Sequence, residues 1–469
     1  MARPLETEAE YFLQQGLQLS RSGAYEDAIG SFEQSLQAQS GEYEAWYERG
    51  LALYELGQYE DAVASFNQAS HLEPQPKIHN YCGMALFSLK RYEAAIASYD
   101  RALQLQPEYH QAWHNRGNAL NRLGDRSGAL QSYDRALELE PDYAKSWYNR
   151  GLVLCQQGQY EAAIVSYDQA IVHRPHYSYA WYNRANTQHL LGQDEEALKS
   201  YDHLLRIKSD WHEAWYNQGN VLQKLERYEA AICSYDRALK LNPLLYEAWY
   251  NRGNSLEALG RYDEAEASYQ QALAQKADLP HAWFNWGRAL HKAGRYSEAI
   301  DRYIKALELQ PNAAKVWLHR GNACRKLGRY ADAVTCYDQA LQHQSNLYEA
   351  WHGRGIALGH VGQSQEAIVS HERALELNPR FYPAWCSRGD ALSHVGNYTA
   401  AVASYDKALQ LNPHLLAVHS RRRLALLHCD RPAKNSGEDA QGRSDLSGEI
   451  SPEPWEWEVG EERQIKLMS

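Results

Sequence analysis

One stretch of sequence recurs along the chain in nearly the same form and decides the fold. Residues 113–141 read WHNRGNALNRLGDRSGALQSYDRALELEP, and residues 147–175 read WYNRGLVLCQQGQYEAAIVSYDQAIVHRP. The Trp that opens these stretches occurs nine times at intervals of 34 residues, from Trp113 to Trp385. With this Trp called position 4, the same period extends outward to twelve repeats between about residues 9 and 413.

Each repeat has the pattern of two antiparallel helices, A and B. Positions 4, 8 and 11 have the i, i+4, i+7 spacing of one helical face, and so do positions 20, 24 and 27. Small residues at positions 8 and 20 allow two backbones to approach, beside rings at positions 4 and 24. Gly near position 15, as in Gly158, ends helix A, and Pro at position 32, as in Pro175, ends helix B. The sequence therefore predicts an all-α protein.

The pattern W-x3-G-x2-L…G-x-Y-x2-A-x3-Y-x2-A…P resembles the tetratricopeptide repeat (TPR). This resemblance implies a right-handed superhelical solenoid of about twelve helix-turn-helix repeats, in which the A helices line a concave groove. It also implies a role in protein interaction rather than in catalysis. The wording WYNRGN…YDRAL further resembles the long arrays of bacteria, photosynthetic ones in particular.

The repeat register also predicts the domain organisation. Residues 1–8 are expected to be an N-terminal extension, residues 9–413 the twelve repeats, residues 414–432 a C-terminal capping helix, and residues 433–469 a disordered acidic tail. Arg421, Arg422 and Arg423 are expected to form the solvated face of the capping helix. The tail contains SPEPWEWEV at residues 451–459. This segment is either plainly disordered or a short motif that docks on a partner or in the groove.

If helix A lines the groove, positions 2, 5, 6, 9, 12 and 13 face it. Asn recurs at positions 6 and 9 and Tyr at position 5, although Asn is a poor residue for a helix interior. An amide both donates and accepts hydrogen bonds, which suits capture of a peptide main chain. The alternative is that Asn at position 6 bridges neighbouring repeats. The candidate peptide-binding residues are Asn115, Asn118, Tyr148, Asn149, Tyr182, Asn183, Asn186, Tyr216, Asn217, Asn220, Tyr250, Asn251, Asn254, Asn285 and Asn322.

Two charged patterns accompany this stripe. Position 7 is usually Arg and position 25 usually Asp, and both change together in the ninth repeat. This predicts a contact between them within one repeat, as in Arg116 with Asp134 or Arg354 with Glu372. Positive charge gathers on the groove stripe of the ninth and tenth repeats, at Arg288, Lys292, Arg325 and Lys326, where an acidic segment of a partner is expected to fit.

Composition excludes several classes of function. The chain has 469 residues, a net charge of −11 and a mean hydropathy of −0.67, which argue against nucleic-acid binding and a membrane-spanning segment. Seven cysteines without a Cys-x-x-Cys pair favour a reducing, cytoplasmic location. His352, His360 and His394 share one register, but no further ligand joins them at metal-binding spacing. Neither a catalytic motif nor a cofactor motif occurs, so no enzyme, metal or cofactor is expected.

The sequence therefore favours a scaffold or adaptor that binds extended or helical peptide segments of protein partners in the concave groove. Two alternatives remain open from the resemblance. The chain is either a regulatory or substrate-recruiting subunit of an enzyme complex, or an assembly chaperone for photosynthetic membrane complexes.

Overall fold

A computed structural model describes residues 8–429, and within this range the regular secondary structure is entirely helical. The 25 helices follow one another in the order helix A, helix B, so that odd numbers up to α23 are A helices and even numbers are B helices. The predictions made for residues 1–7 and for residues 430–469, including the segment 451–459, lie outside the described residues.

The chain divides into two compact halves, which are described separately: an N-terminal half, Met1–Glu226, and a C-terminal half, Arg227–Ser469. The helices of the N-terminal half are α1 (Glu8–Arg21), α2 (Tyr25–Ala38), α3 (Tyr43–Glu55), α4 (Tyr59–Leu72), α5 (Pro76–Ser88), α6 (Tyr92–Leu105), α7 (His110–Leu123), α8 (Arg126–Leu139), α9 (Ala144–Gln156), α10 (Tyr160–His173), α11 (Ser178–Leu190), α12 (Asp194–Ile207) and α13 (His212–Lys224). Those of the C-terminal half are α14 (Tyr228–Leu241), α15 (Tyr246–Ala258), α16 (Tyr262–Gln275), α17 (Pro280–Lys292), α18 (Tyr296–Leu309), α19 (Ala314–Lys326), α20 (Tyr330–His343), α21 (Tyr348–Val361), α22 (Ser364–Leu377), α23 (Tyr382–His394), α24 (Tyr398–Leu411) and α25 (Leu416–Cys429). Within each half, each helix packs against the next one along the chain.

Helices A and B of a repeat approach closely at position 8. A Cβ atom added to Gly151 would lie 2.6 Å from Cε1 of Tyr167, which is fully buried at position 24 of helix B. Ala163, at position 20, is also fully buried. The small residues therefore make room for the buried ring, as the periodic pattern predicts.

The recurrent Trp fixes the connection between repeats. Trp147 Nε1 donates a hydrogen bond to the carbonyl oxygen of Pro141 at 2.8 Å, and Trp181 makes the same bond to Pro175 at 2.9 Å. The ring at position 4 thus ties the start of helix A to the turn at position 32 of the preceding repeat. At the end of the array His419 Nε2 takes over this contact with the Pro413 carbonyl at 3.0 Å.

The turn between helices A and B needs a left-handed residue. Gly158 provides it with a φ of 76°. In the third repeat the same position is Lys90, which adopts a φ of 60° although it carries a side chain. Such a backbone conformation costs roughly 1–2 kcal/mol for a residue other than Gly.

Arginines at position 7 form a ladder that joins most repeats to the one before them. Arg116 Nε donates to Asp100 at 2.7 Å, and its Nη1 donates to Ser132 of its own helix B at 2.8 Å. Positions 7 and 25 do meet, but the predicted pairing within one repeat, Arg116 with Asp134, is wrong. The arginine points across helix A toward helix B of the preceding repeat. Equivalent pairs are Arg49–Glu33, Arg150–Asp134, Arg184–Asp168, Arg252–Asp236, Arg354–Asp338 and Arg388–Glu372.

Helix α25 continues this ladder, which corrects a second prediction. Arg421, Arg422 and Arg423 were expected to be solvated, but only Arg423 is exposed. Arg421 Nη1 donates to the buried carboxylate of Asp390 at 2.6 Å, and Arg422 pairs with Asp406 as other position-7 arginines do with position 25. The two arginines therefore dock α25 on the preceding repeat.

Among residues 8–429, none of the helices is long and apolar enough to cross a membrane.

Candidate interaction surface on the A helices

The fifteen candidate residues lie on A helices from α7 to α19, and all of them are half-buried. Seven of these helices contribute, four in the N-terminal half and three in the C-terminal half. Their partial burial has a common cause, because most of the amides take part in hydrogen bonds between neighbouring repeats.

The amide of Asn118 is at the centre of such a network in the N-terminal half. Its Oδ1 accepts hydrogen bonds from Asn149 Nδ2 at 2.7 Å and from the hydroxyl of Tyr133 at 2.8 Å. Its Nδ2 lies 3.2 Å from His114 Nε2. Position 9 of one repeat thus receives the ring hydroxyl of its own helix B and the position-6 amide of the next repeat.

The same arrangement recurs in other repeats. Asn217 Nδ2 donates to the Tyr182 hydroxyl at 2.9 Å and to Asn186 Oδ1 at 3.1 Å. In the C-terminal half, Asn285 Nδ2 donates to Tyr250 and to Asn254, both at 2.9 Å. Further members of the network are Asn115 to Asn80, Asn183 to Tyr148, Tyr201 to Asn186, Tyr269 to Asn254 and Tyr337 to Asn322. The bridging interpretation describes these bonds, and a ligand main chain would have to compete with them.

The tyrosines at position 5 are held between repeats rather than standing free. Burial raises the pKa of Tyr148 to about 12, and its ring centroid lies 4.9 Å from that of Tyr177. Tyr182 stacks on Trp211 at 4.8 Å with an interplanar angle of 20°. Tyr216, Asn220 and Asn251 lie at equivalent half-buried positions of their helices.

A depression of about 380 Å³ opens on the A helices of the N-terminal half, between α5, α7 and α9. Its walls include the rings and aliphatic side chains of Phe87, Tyr133 and Leu152. The polar lining residues are Asn118, Asn121, Arg122, Asn149 and Gln156. Two of the fifteen candidate residues, Asn118 and Asn149, therefore line this depression. The other six lining residues are not among the fifteen candidates.

The inner and outer parts of this depression differ in burial and charge. Tyr133 is fully buried and is fixed by its bond to Asn118, whereas Arg122 and Gln156 are exposed on the last turns of α7 and α9. Burial raises the pKa of Tyr133, and the Arg122 guanidinium opposes this shift, which places the cation close to the floor. The site combines an apolar wall with four side-chain amides and one cation, so it offers apolar contact, hydrogen bonds and a positive charge at one place.

Sequence reasoning missed Phe87, Asn121, Arg122, Leu152 and Gln156, although a signal for them existed. They occupy positions 9, 12 and 13 of their repeats, which belong to the stripe that the helical period assigns to this face. The prediction rested on the recurring Asn and Tyr and on the cations of the ninth and tenth repeats, and these five residues belong to neither set.

The histidines do not assemble into a metal site. His352 Nδ1 lies 3.4 Å from His371 Nδ1 in a buried pair, while His360 stacks on Tyr330. Within residues 8–429, no group of three or more His, Cys, Asp or Glu side chains is arranged to hold a metal ion.

Family models of the tetratricopeptide repeat match this chain along most of its length. The matched residues are 13–75, 216–280 and 284–349 for one model, 83–124, 117–157 and 151–192 for a second, and 382–415 and 178–210 for two others. The chain belongs to the TPR family. The TPR repeats support a general role as a protein-interaction scaffold.

Several solved structures are similar to this chain at low sequence identity and low TM-score. YrrB, described as a TPR protein with an unusual peptide-binding site, is 24% identical over 40% of this chain and 97% of its own, with a TM-score of 0.36. A TPR protein from Parabacteroides merdae is 20% identical over 53% of this chain and 98% of its own, with a TM-score of 0.38. A chain in the crystal structure of the APC/C hetero-tetramer Cut9–Hcn1 is 14% identical over 91% of this chain and 91% of its own, with a TM-score of 0.36. No curated protein sequence matches the chain significantly.

Proposed function

We propose that this TPR protein is a scaffold that binds an extended peptide segment of a partner across α5, α7 and α9. The observation that carries the proposal is the depression on these helices, with Phe87 and Leu152 on its walls and amides beside them. An apolar side chain of the peptide enters the depression while the main chain runs along the outer polar residues.

The inner amides serve this site as its framework. Asn118 holds Tyr133 and Asn149 through two hydrogen bonds, so the floor is already ordered before a ligand arrives. A preformed site loses less conformational entropy on binding than a mobile one does. Asn118 is therefore a positioning residue in this proposal, and Asn149 contributes from the lining.

The outer residues supply the ligand contacts. Asn121 and Gln156 each offer an amide donor and an acceptor to a peptide main chain. Arg122 is exposed at the rim and favours a carboxylate on the peptide next to the apolar anchor. The expected ligand is thus a short extended segment with a large apolar residue and an acidic neighbour.

A peptide-display selection on the full chain tests this specificity. The selected peptides are expected to pair an apolar residue with Asp or Glu, and Arg122→Gln is expected to weaken their binding by about 0.5–1.5 kcal/mol, or roughly two- to tenfold. The matched control is Arg126→Gln, which removes an equally exposed arginine at the start of α8. Equal losses in both variants, or peptides without acidic residues, would argue against the proposed site.

Hydrogen exchange locates the bound peptide independently of mutation. Amides in α7 and α9 are expected to gain protection when a selected peptide is added, whereas those of α2 and α4 in the same half keep their rates. Protection confined to B helices would place the ligand on another face.

A further inference from the structure

In two consecutive A helices of the C-terminal half, every charged side chain is a Lys or an Arg. Helices α17 and α19 contain no Asp or Glu, although the chain as a whole carries a net charge of −11. Their six cationic side chains are Arg288, Lys292, Lys315, Arg320, Arg325 and Lys326. An excess of this kind on adjacent helices creates a local positive potential in an acidic protein.

Four of these side chains form what we call the basic cluster: Arg288, Lys292, Arg325 and Lys326. Helices α17 and α19 are in contact with each other, so the cations of the two helices lie on neighbouring elements. The half-buried His291 of α17 is affected by three of them: its pKa is lowered to about 4 by burial and then by Lys326, Arg325 and Lys292.

A carboxylate from α15 is already engaged at the edge of the cluster. Glu257 is 4% exposed and accepts hydrogen bonds from Arg288 Nε and Nη2 at 2.8 and 2.9 Å, with Lys292 Nζ at 3.5 Å. Arg325, on the far side, has a buried Nε without a hydrogen-bond partner among the described residues. The four cations of the cluster thus outnumber the one carboxylate, Glu257, that is seen paired with it.

Aromatic surface lies beside this charge. Phe284, at position 5 of α17, is half-buried, with its ring 5.9 Å from the Arg288 guanidinium and 5.1 Å from the His319 ring. Leu318 occupies the same position of α19 and is also half-buried. The surface thus suits a ligand that alternates carboxylates with large rings, since both ion pairs and cation–π contacts are available.

The chain itself contains a segment with this chemistry. Residues 451–459, SPEPWEWEV, place Glu453, Trp455, Glu456, Trp457 and Glu458 within six positions. Glu453 follows Cys429, the last residue of α25, by 24 positions, a length of chain that can span at most about 80 Å. Three repeats separate α19 from α25, or roughly 30 Å at about 10 Å per packed helix layer. The segment can reach the cluster without being fully extended.

We propose that the basic cluster of α17 and α19 binds the segment 451–459 of the same chain. The glutamates pair with the cluster and the two indole rings lie on its cationic and aromatic surface. Tethering makes this association intramolecular, so weak contacts are enough to keep the surface occupied until a more acidic partner displaces the segment. This site lies in the other half from the depression of α5, α7 and α9 and does not depend on it.

Zero-length carbodiimide coupling of the full chain tests the proposal, because it joins a Lys amine directly to a carboxylate in contact with it. Mass spectrometry is expected to find Lys292 and Lys326 coupled to Glu453, Glu456 or Glu458 within single chains. Lys407 in α24 is the internal reference, since it lies close to the end of α25, from which the chain continues to the segment. If the segment moved without a docking site, Lys407 would give the highest yield of coupled product. A higher coupling yield at Lys407 than at Lys292 and Lys326 would overturn the proposal, and so would coupling found only between two chains.

Matched variants separate docking from chance encounter. Trp455→Ala with Trp457→Ala keeps every carboxylate and is expected to lower coupling to the cluster by roughly tenfold. Ile465→Ala with Leu467→Ala, a control further along the chain and outside the segment 451–459, is expected to leave the coupling unchanged. Arg325→Gln keeps both reactive lysines and is expected to lower the yield severalfold, unlike Arg329→Gln at the exposed turn before α20. Equal yields across these variants would contradict docking on the cluster.

Discussion

The hydrogen-bond network around Asn118 makes a quantitative prediction that separates a framework role from a ligand-binding role. Asn118→Leu removes an acceptor that two groups share, the Tyr133 hydroxyl at 2.8 Å and Asn149 Nδ2 at 2.7 Å. The change fits sterically, because the next repeat already carries Leu152 at the same position.

The size of the effect follows from burial. Tyr133 is 1% exposed, so its hydroxyl cannot turn to water and its loss of a partner costs about 1–3 kcal/mol. Asn149 is half-buried and recovers part of its bond from solvent, for about 0.5 kcal/mol more. The expected total is about 1.5–3.5 kcal/mol of local stability. Adding Tyr133→Phe removes the orphaned hydroxyl and restores about 1–2 kcal/mol of that loss.

Native-state hydrogen exchange is the appropriate assay, because repeat arrays open locally and a single unfolding free energy does not describe them. The free energy of opening in α7, α8 and α9 is compared among the wild type, the two single variants and the double variant. Unchanged exchange in Asn118→Leu, or additive losses in the double variant, would refute the framework role of this amide.

Three further predictions concern the packing of the repeats. Lys90→Gly relieves the left-handed strain at a φ of 60° and is expected to raise the free energy of opening of α5 and α6 by about 0.5–1 kcal/mol, which slows hydrogen exchange there. Gly151→Ala brings a Cβ to 2.6 Å from Tyr167 Cε1 and is expected to lower the free energy of opening of α9 and α10 by about 1–3 kcal/mol in native-state hydrogen exchange, whereas Gly30→Ala, with no neighbouring atom within 4 Å, causes no loss in α2. Burial lowers the pKa of His371 to about 3 from 6.5, so protons bind the unfolded chain first and stability falls as the pH drops below about 6.5. His371→Tyr is expected to flatten this fall in α22 by about 1.4 kcal/mol per pH unit, measured by native-state hydrogen exchange at about pH 7 and pH 5.

The period of the sequence was enough to predict the helices and their closest contacts. A 34-residue repeat with small residues at positions 8 and 20 leaves few ways to pack two helices, and Gly151 against Tyr167 shows the expected notch. The turns between helices A and B could also be predicted, since Gly158 adopts the left-handed conformation that ends helix A. These features are local, so each repeat specifies them alone.

Contacts between repeats were harder to assign, for a reason inherent in periodic sequences. When every copy carries Arg at position 7 and Asp at position 25, the pattern does not say whether Arg116 meets Asp134 of its own repeat or Asp100 of the previous one. Only the packing of helix A on the preceding helix B decides for Asp100. The same ambiguity hid the docking of Arg422 on Asp406.

The sequence predicted which face of the A helices the candidate residues share, but not which of them contact one another. Helical periodicity placed Asn118 and Asn149 on one face of the A helices, where the depression lies, yet their hydrogen bond to one another depends on the distance between consecutive A helices. The depression also needs Phe87 and Leu152, which differ from their counterparts in other repeats. A repeat consensus describes what all copies share, whereas this concave site is formed by side chains in which particular copies differ.

The most direct test of the central claim is the dissociation constant of a selected peptide for three forms of the full chain. Leu152→Glu places a charge on the apolar wall of the depression, while Val165→Glu makes the same kind of change on α10, where Val165 is 57% exposed. Binding across α5, α7 and α9 predicts that Leu152→Glu weakens affinity by roughly tenfold or more, the loss for about 1.5–3 kcal/mol of apolar contact. Val165→Glu is expected to match the wild type. Equal affinities in all three forms, with the fold of Leu152→Glu intact by circular dichroism, would contradict the proposed interaction surface.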